Sequence, residues 1–128
     1  MAISGISHIA ITVTDLDRSS SWYRDVLGWE QRQRGRDATE FAYGDLPSGL
    51  TLVLRQHDSG SDEPFDESSP GLDHLCLQVE SLEDLTELEA KLARCGARFT
   101  PVKELPFGRL LAFRDPDNIA LEASLPKT

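Results

Sequence analysis

The chain has 128 residues, with 22 Asp and Glu against 13 Lys and Arg, giving a formal net charge of -9. That length fits one domain of the usual size, roughly 100–200 residues, and can bury a core without disulfide staples. The acidic balance repels phosphate backbones and anionic lipid, so nucleic acid and membrane surfaces are excluded as partners.

The opening "MAISGISHIAITV" lacks the charged lead-in and cleavage site of a signal peptide. No apolar run approaches the roughly 20 residues of a spanning helix, so a cytoplasmic protein is expected. Cys76 and Cys95 are the two cysteines, too few for a disulfide framework, and a reduced compartment is the simpler reading.

In chain order, "GISHIAITVTDL" alternates apolar and polar residues, the pattern of a half-buried strand. Ile9, Ile11 and Val13 are expected to face a packed layer, with His8, Ala10 and Thr12 on the other face. "TDLDRSSSWYRDVLG" follows as a helix with Leu16, Tyr23, Val26 and Leu27 on its apolar side and Gly28 at its end. "FAYGDLPSGLTLV" then reads as two strands around an Asp-Pro turn. Residues 57–70 are dense in acidic, Ser, Gly and Pro residues, a solvated linker or a flap.

Beyond that linker the pattern begins again. "GLDHLCLQVESL" lies over the first strand, with His74 66 residues after His8 and in the same register. Leu75, Leu77 and Val79 fall on the packed side, and His74, Cys76 and Gln78 on the other. "SLEDLTELEAKLARCG" is capped by Ser81 and presents Leu85, Leu88, Leu92 and Cys95 before Gly96. "LPFGR", Leu105 to Arg109, reads as a lid or a turn. "LAFRDPDNIALE" repeats the strand pair of the first half, so that Asp115 meets Asp45 and Pro116 meets Pro47. The fold class is therefore α+β: two βαβββ modules, about 1–56 and 71–128, forming a single domain with helices on the outer face of curled mixed sheets. In this alignment Glu122 meets Val53. A carboxylate that the repeat itself required would be expected twice, and it is present once.

Two βαβββ halves with phased histidines and the ending "FRDPDNIALE" resemble the vicinal-oxygen-chelate superfamily of glyoxalases, bleomycin resistance proteins and extradiol dioxygenases. The resemblance covers nearly the whole chain. It implies a cup formed by each curled sheet, with first and last strands side by side and a divalent metal inside. Matched position by position, His8, His74 and Glu122 stand where that family has metal ligands, and Val53 stands where its four-ligand members have Glu or Gln. Two neutral imidazoles and a carboxylate leave coordination positions open and suit Fe, Mn, Ni, Co or Zn. Taken singly, each residue also has a plainer reading, as a satisfied strand histidine or an exposed strand-end carboxylate.

The resemblance further implies a homodimer, and family members assemble the ligand set either within one chain or across the dimer. Thr12, Val53 and Ala112 would line a small apolar cup around the substrate. Arg55 and Arg114 share its parity, and either would hold a carboxylate or phosphate, or else form an outward ion pair. Cys76 is a candidate soft ligand or nucleophile, or simply a small packed side chain. Val53 counts against the glyoxalase I and epimerase activities, whereas Ala112, where the extradiol and fosfomycin-modifying members typically have Tyr, counts against those. The expectation is an enzyme, of lyase, isomerase or dioxygenase type, with Glu122 in its catalytic centre and adjacent oxygens of a small substrate bound on the metal. The alternative is a protein that sequesters an antibiotic without chemistry, as bleomycin-binding relatives do.

Overall fold

The computed structural model describes residues 2–127. It divides into two compact units, with the boundary in the sequence between Asp62 and Glu63. Each unit has one helix and a four-stranded mixed sheet in βαβββ order, the α+β arrangement expected from the repeat.

The first unit comprises β1 (Ile9–Thr12), α1 (Leu16–Leu27), β2 (Glu30–Arg36), β3 (Glu40–Asp45) and β4 (Thr51–Gln56). The sheet order is β1-β4-β3-β2, with β1 parallel to β4 and the other pairs antiparallel. Asp15 caps α1 by accepting from the Arg18 N–H, and Gly28 ends it at φ 70 with its own N–H turned back to Arg24 O. The buried face of α1 is Leu16, Ser19, Tyr23 and Val26. Ser19 joins this face, whereas Leu27, also expected on it, lies at the last position of the helix and is half-buried. Just past the helix, Trp29 is buried and donates its indole N–H to Leu52 O at 3.0 Å.

The second unit comprises β5 (Leu75–Gln78), α2 (Leu82–Arg94), β6 (Phe99–Leu105), β7 (Gly108–Arg114) and β8 (Ala120–Pro126), in the order β5-β8-β7-β6. Ser81 caps α2 by accepting from the Asp84 N–H at 3.1 Å. Leu85, Leu88 and Leu92 form its buried stripe. Cys95, expected to continue that stripe, is exposed, because it is the cap residue beyond the last turn and Gly96 at φ 70 leads the chain away. The "LPFGR" stretch is the hairpin between β6 and β7, with Phe107 exposed at its tip.

Strand register gives the internal repeat its physical form. Ile9 pairs with Leu52 and Ala10 with Val53; in the second unit Leu75 pairs with Leu121 and Cys76 with Glu122. Ile11, Leu121 and Ala123 are buried as the alternation requires. Ile9, Leu75 and Leu77 are only half-buried, since β1 and β5 are edge strands with a neighbour on one side alone. The two Asp-Pro turns also match. Gly49 at φ 92 and Asn118 at φ 66 take the left-handed position in each, which glycine and asparagine adopt most readily.

Residues 57–70 contain no helix or strand. Their second part is fastened to the β7–β8 turn, where the Phe65 N–H donates to Asp117 O at 2.9 Å and Asn118 Nδ2 donates to Phe65 O at 3.0 Å. Among the described residues no helix is long and apolar enough to cross a membrane.

Candidate metal centre

His8 and His74 each stand one residue ahead of the first strand of their unit. In the second unit, the parallel pairing of β5 with β8 brings His74 Nε2 to 3.2 Å from Glu122 Oε1. The other ring nitrogen is engaged too: His74 Nδ1 donates to Asp73 Oδ1 at 2.7 Å. With its proton on Nδ1, a neutral imidazole presents a lone pair at Nε2. That lone pair then faces a carboxylate oxygen, and two acceptors at this spacing repel unless a cation lies with them. The cation is either a proton or a metal ion. The hydrogen bond to Asp73 raises the His74 pKa from its ordinary value, and the Glu122 charge adds to this while partial burial opposes it.

A carboxylate behind the imidazole is the arrangement by which metal-binding histidines are oriented and made more basic. Asp73 is not among the residues that the sequence singles out, although the signal lies directly beside His74. The first unit has the same device with a weaker group, since Ser7 Oγ lies 3.1 Å from His8 Nδ1. There the repeat substitutes Val53 for the glutamate. Val53 sits between Ala10 on β1 and Tyr43 on β3 and is 1% exposed, so it is packed inside rather than lining an open cup. Among the described residues no three His, Cys, Asp or Glu side chains form a complete ligand set. His74 and Glu122 are the two candidate ligands that the second unit brings together.

A cavity of about 410 Å³ opens beside this pair within the second unit, with Glu67, Arg98, Ala112 and Arg114 among its walls. Arg114 grips Glu67 with both arms, Nη1 to Oε1 at 3.0 Å and Nη2 to Oε2 at 2.9 Å, while Nη1 also donates to Asn118 O at 3.0 Å. This hydrogen-bonded fork holds the Glu67 carboxyl down at about 2. Arg98 Nη1 donates to Asn118 Oδ1 at 3.0 Å. Glu67 and Arg98 carry no motif and lie away from His74 in the sequence, so nothing in the sequence marks them.

The remaining candidates separate. Arg55 is committed to its own unit: Nη1 lies 3.2 Å from Asp37 and 2.8 Å from Thr39 Oγ1, and the guanidinium stands 5.2 Å from the Phe41 ring centre. That is the ion-pair alternative for this residue. Thr12 is exposed on β1. Cys76 is exposed on β5 as the strand partner of Glu122, and partial desolvation together with the neighbouring carboxylate pushes its thiol up.

The paired βαβββ units define a glyoxalase-type protein, and the chain belongs to the Glyoxalase/Bleomycin resistance protein/Dioxygenase superfamily, whose family model matches residues 5–123. A solved glyoxylase/bleomycin resistance protein/dioxygenase domain from Frankia sp. EAN1pec is 57% identical, with a TM-score of 0.95 over 98% of this chain and 94% of that one. Fosfomycin resistance protein FosX of Listeria monocytogenes is 25% identical over 94% of this chain and 88% of its own length. A structure of a FosX point mutant, complexed with Mn(II) and 1S,2S-dihydroxypropylphosphonic acid, superposes with a TM-score of 0.75 at 22% identity, covering 96% of this chain and 90% of that one. Mouse mitochondrial methylmalonyl-CoA epimerase is 29% identical over 76% of this chain, which spans 62% of that protein's length. FosX and the epimerase are enzymes of the superfamily.

Proposed function

We propose that this protein is a metal-dependent enzyme in which His8, His74 and Glu122 hold a divalent cation of the Fe, Mn, Ni, Co or Zn type. The observation that carries the reading is His74 Nε2 standing 3.2 Å from Glu122 Oε1 while Nδ1 is occupied by Asp73. Nitrogen and oxygen donors of this kind suit such ions and leave positions open for a substrate. His8 supplies the third ligand, from the same chain or from a second copy in a homodimer. When bound, the ion polarises a carbonyl or stabilises an oxyanion by several kcal/mol.

The chain's own residues do the rest. Asp73 fixes the tautomer and angle of His74. Ala112 leaves an open, apolar wall beside Glu122 for the body of a small substrate. Glu122 sits where a carboxylate can take or return a proton of the bound molecule. The FosX complex with Mn(II) and a compound bearing adjacent hydroxyls supports both the cation and a substrate with neighbouring oxygens. The epimerase relative supports proton abstraction next to a carbonyl as the broader reaction class, with Glu122 as the carboxylate left to carry the proton because Val53 supplies none.

The test is a screen of the chain supplemented in turn with Fe²⁺, Mn²⁺, Ni²⁺, Co²⁺ and Zn²⁺ for two reactions: solvent-deuterium uptake beside the carbonyl of acyl thioesters, and ring opening of small epoxides. Turnover that disappears in Glu122→Gln supports the reading. Tight binding of a screened compound with no turnover under any of the five metals would instead support a sequestering protein.

A further inference from the structure

We propose that Arg114 is the seat for a carboxylate group of the substrate, and that in the resting chain this seat is filled by the chain's own Glu67. The proposal deepens the reading above by naming a substrate class, and it rests on that reading for the entry of substrate into this cavity.

The cavity beside His74 and Glu122 has three carboxylates and two guanidinium groups among its walls. Two of the carboxylates are engaged at the histidine: Asp73 at Nδ1 and Glu122 at Nε2. The third, Glu67, is held by Arg114 in the two-armed planar geometry that a guanidinium offers any carboxylate, a free one included. A chain with a net charge of -9 repels small anions in general, so a built cation is needed to bring one to this point.

Arg114 is prepared to keep its place when Glu67 leaves. Its Nη1 also donates to the carbonyl of Asn118, which is set by the left-handed turn at φ 66, and the side chain of the same Asn118 accepts from Arg98. Glu67, by contrast, comes from a segment without helix or strand. That segment is fastened two residues earlier, where Phe65 meets Asp117 and Asn118. Glu67 itself rides on a short turn in which Asp66 Oδ1 accepts from the N–H and hydroxyl of Ser68. Releasing Glu67 therefore breaks its fork with Arg114 and leaves the Phe65 anchor intact. Both partners are partly exposed, Arg114 at 27% and Glu67 at 39%, so water and a small acid reach the pair.

The experiment is a malonate titration of the full chain, followed by nuclear magnetic resonance at the Arg114 side-chain N–H and the backbone amides of residues 66–69. It requires neither turnover nor metal, so a chain that binds no metal yet gains this seat would sink the metal reading and leave the carboxylate seat standing. Glu67→Gln is expected to bind malonate about tenfold more tightly than wild type, the ratio set when Glu67 fills the seat about nine-tenths of the time. Adding Arg114→Gln is expected to abolish the gain. In wild type, which needs no variant to fold, malonate is expected to shift Arg114 and residues 66–69 together as Glu67 is displaced. Unchanged affinity in a folded Glu67→Gln chain, or malonate binding that leaves Arg114 unmoved, would overturn the proposal and make the fork a structural latch.

Discussion

His74 Nε2 and Glu122 Oε1 face each other across two parallel strands at 3.2 Å, and Val53 replaces the acid at the equivalent place in the first unit. The pair is half-open to solvent, with side-chain exposures of 43% and 25%, so as a bare ion pair it contributes only about 0–1 kcal/mol. Glu122→Gln is therefore expected to unfold within about 1 kcal/mol of wild type in metal-free urea melts. Mn²⁺ is expected to raise the melting temperature of wild type and to leave that of this variant unchanged. A melt-stable variant that keeps the full Mn²⁺ response would show that Glu122 holds no cation.

Val53→Glu restores an acid at the place the repeat leaves apolar. Val53 is 1% exposed, and a carboxylate buried there without a partner costs several kcal/mol. The expected result is a lower melting temperature in chelator and a larger Mn²⁺-dependent recovery than in wild type. Equal recovery in both proteins would put Val53 away from the metal.

Trp29 and Gly44 set the packing under β4. A methyl group on Gly44 would overlap the indole ring of Trp29, which is 1% exposed and fixed by its bond to Leu52. Gly44→Ala is expected to destabilise by about 1–3 kcal/mol through overpacking. Urea unfolding reads this directly, and a neutral effect would mean the indole is free to shift.

Glu67 makes acid stability informative. Its carboxyl is held down from 4.5 to about 2 by Arg114, so this contribution to stability is fully present above pH 4.5 and is lost as pH falls from 4.5 towards 2. Wild type is expected to exceed Glu67→Gln in urea midpoint near pH 6, with the gap narrowing by about pH 3. A gap independent of pH would show that the carboxylate charge is not what Arg114 holds.

The repeat is legible because the strands that pack on helices alternate, and because histidine, glycine and Asp-Pro recur in step. β2 and β6 are harder to see. β2 reads "EQRQRGR" and has no apolar face; Arg32, Arg34 and Arg36 reach Asp45, Asp17 and Asp58 instead. β6 carries Pro101 at a break in its register with β7. Glu122 stands out as a departure from the repeat, whereas Glu67 and Arg98 join the cavity through tertiary contact alone, which no spacing encodes. Asp73 lies in plain view, and its meaning comes from the 2.7 Å hydrogen bond.

The proposal that His8, His74 and Glu122 together hold a divalent ion is tested most directly by the metal content of the chain purified without chelator or affinity tag, beside His8→Ala, His74→Ala and Glu122→Gln. Near-stoichiometric divalent metal is expected in wild type, and its loss in all three folded variants. Metal-free wild type that also takes up none on dialysis, or a His8→Ala variant that retains its metal in full, would contradict this.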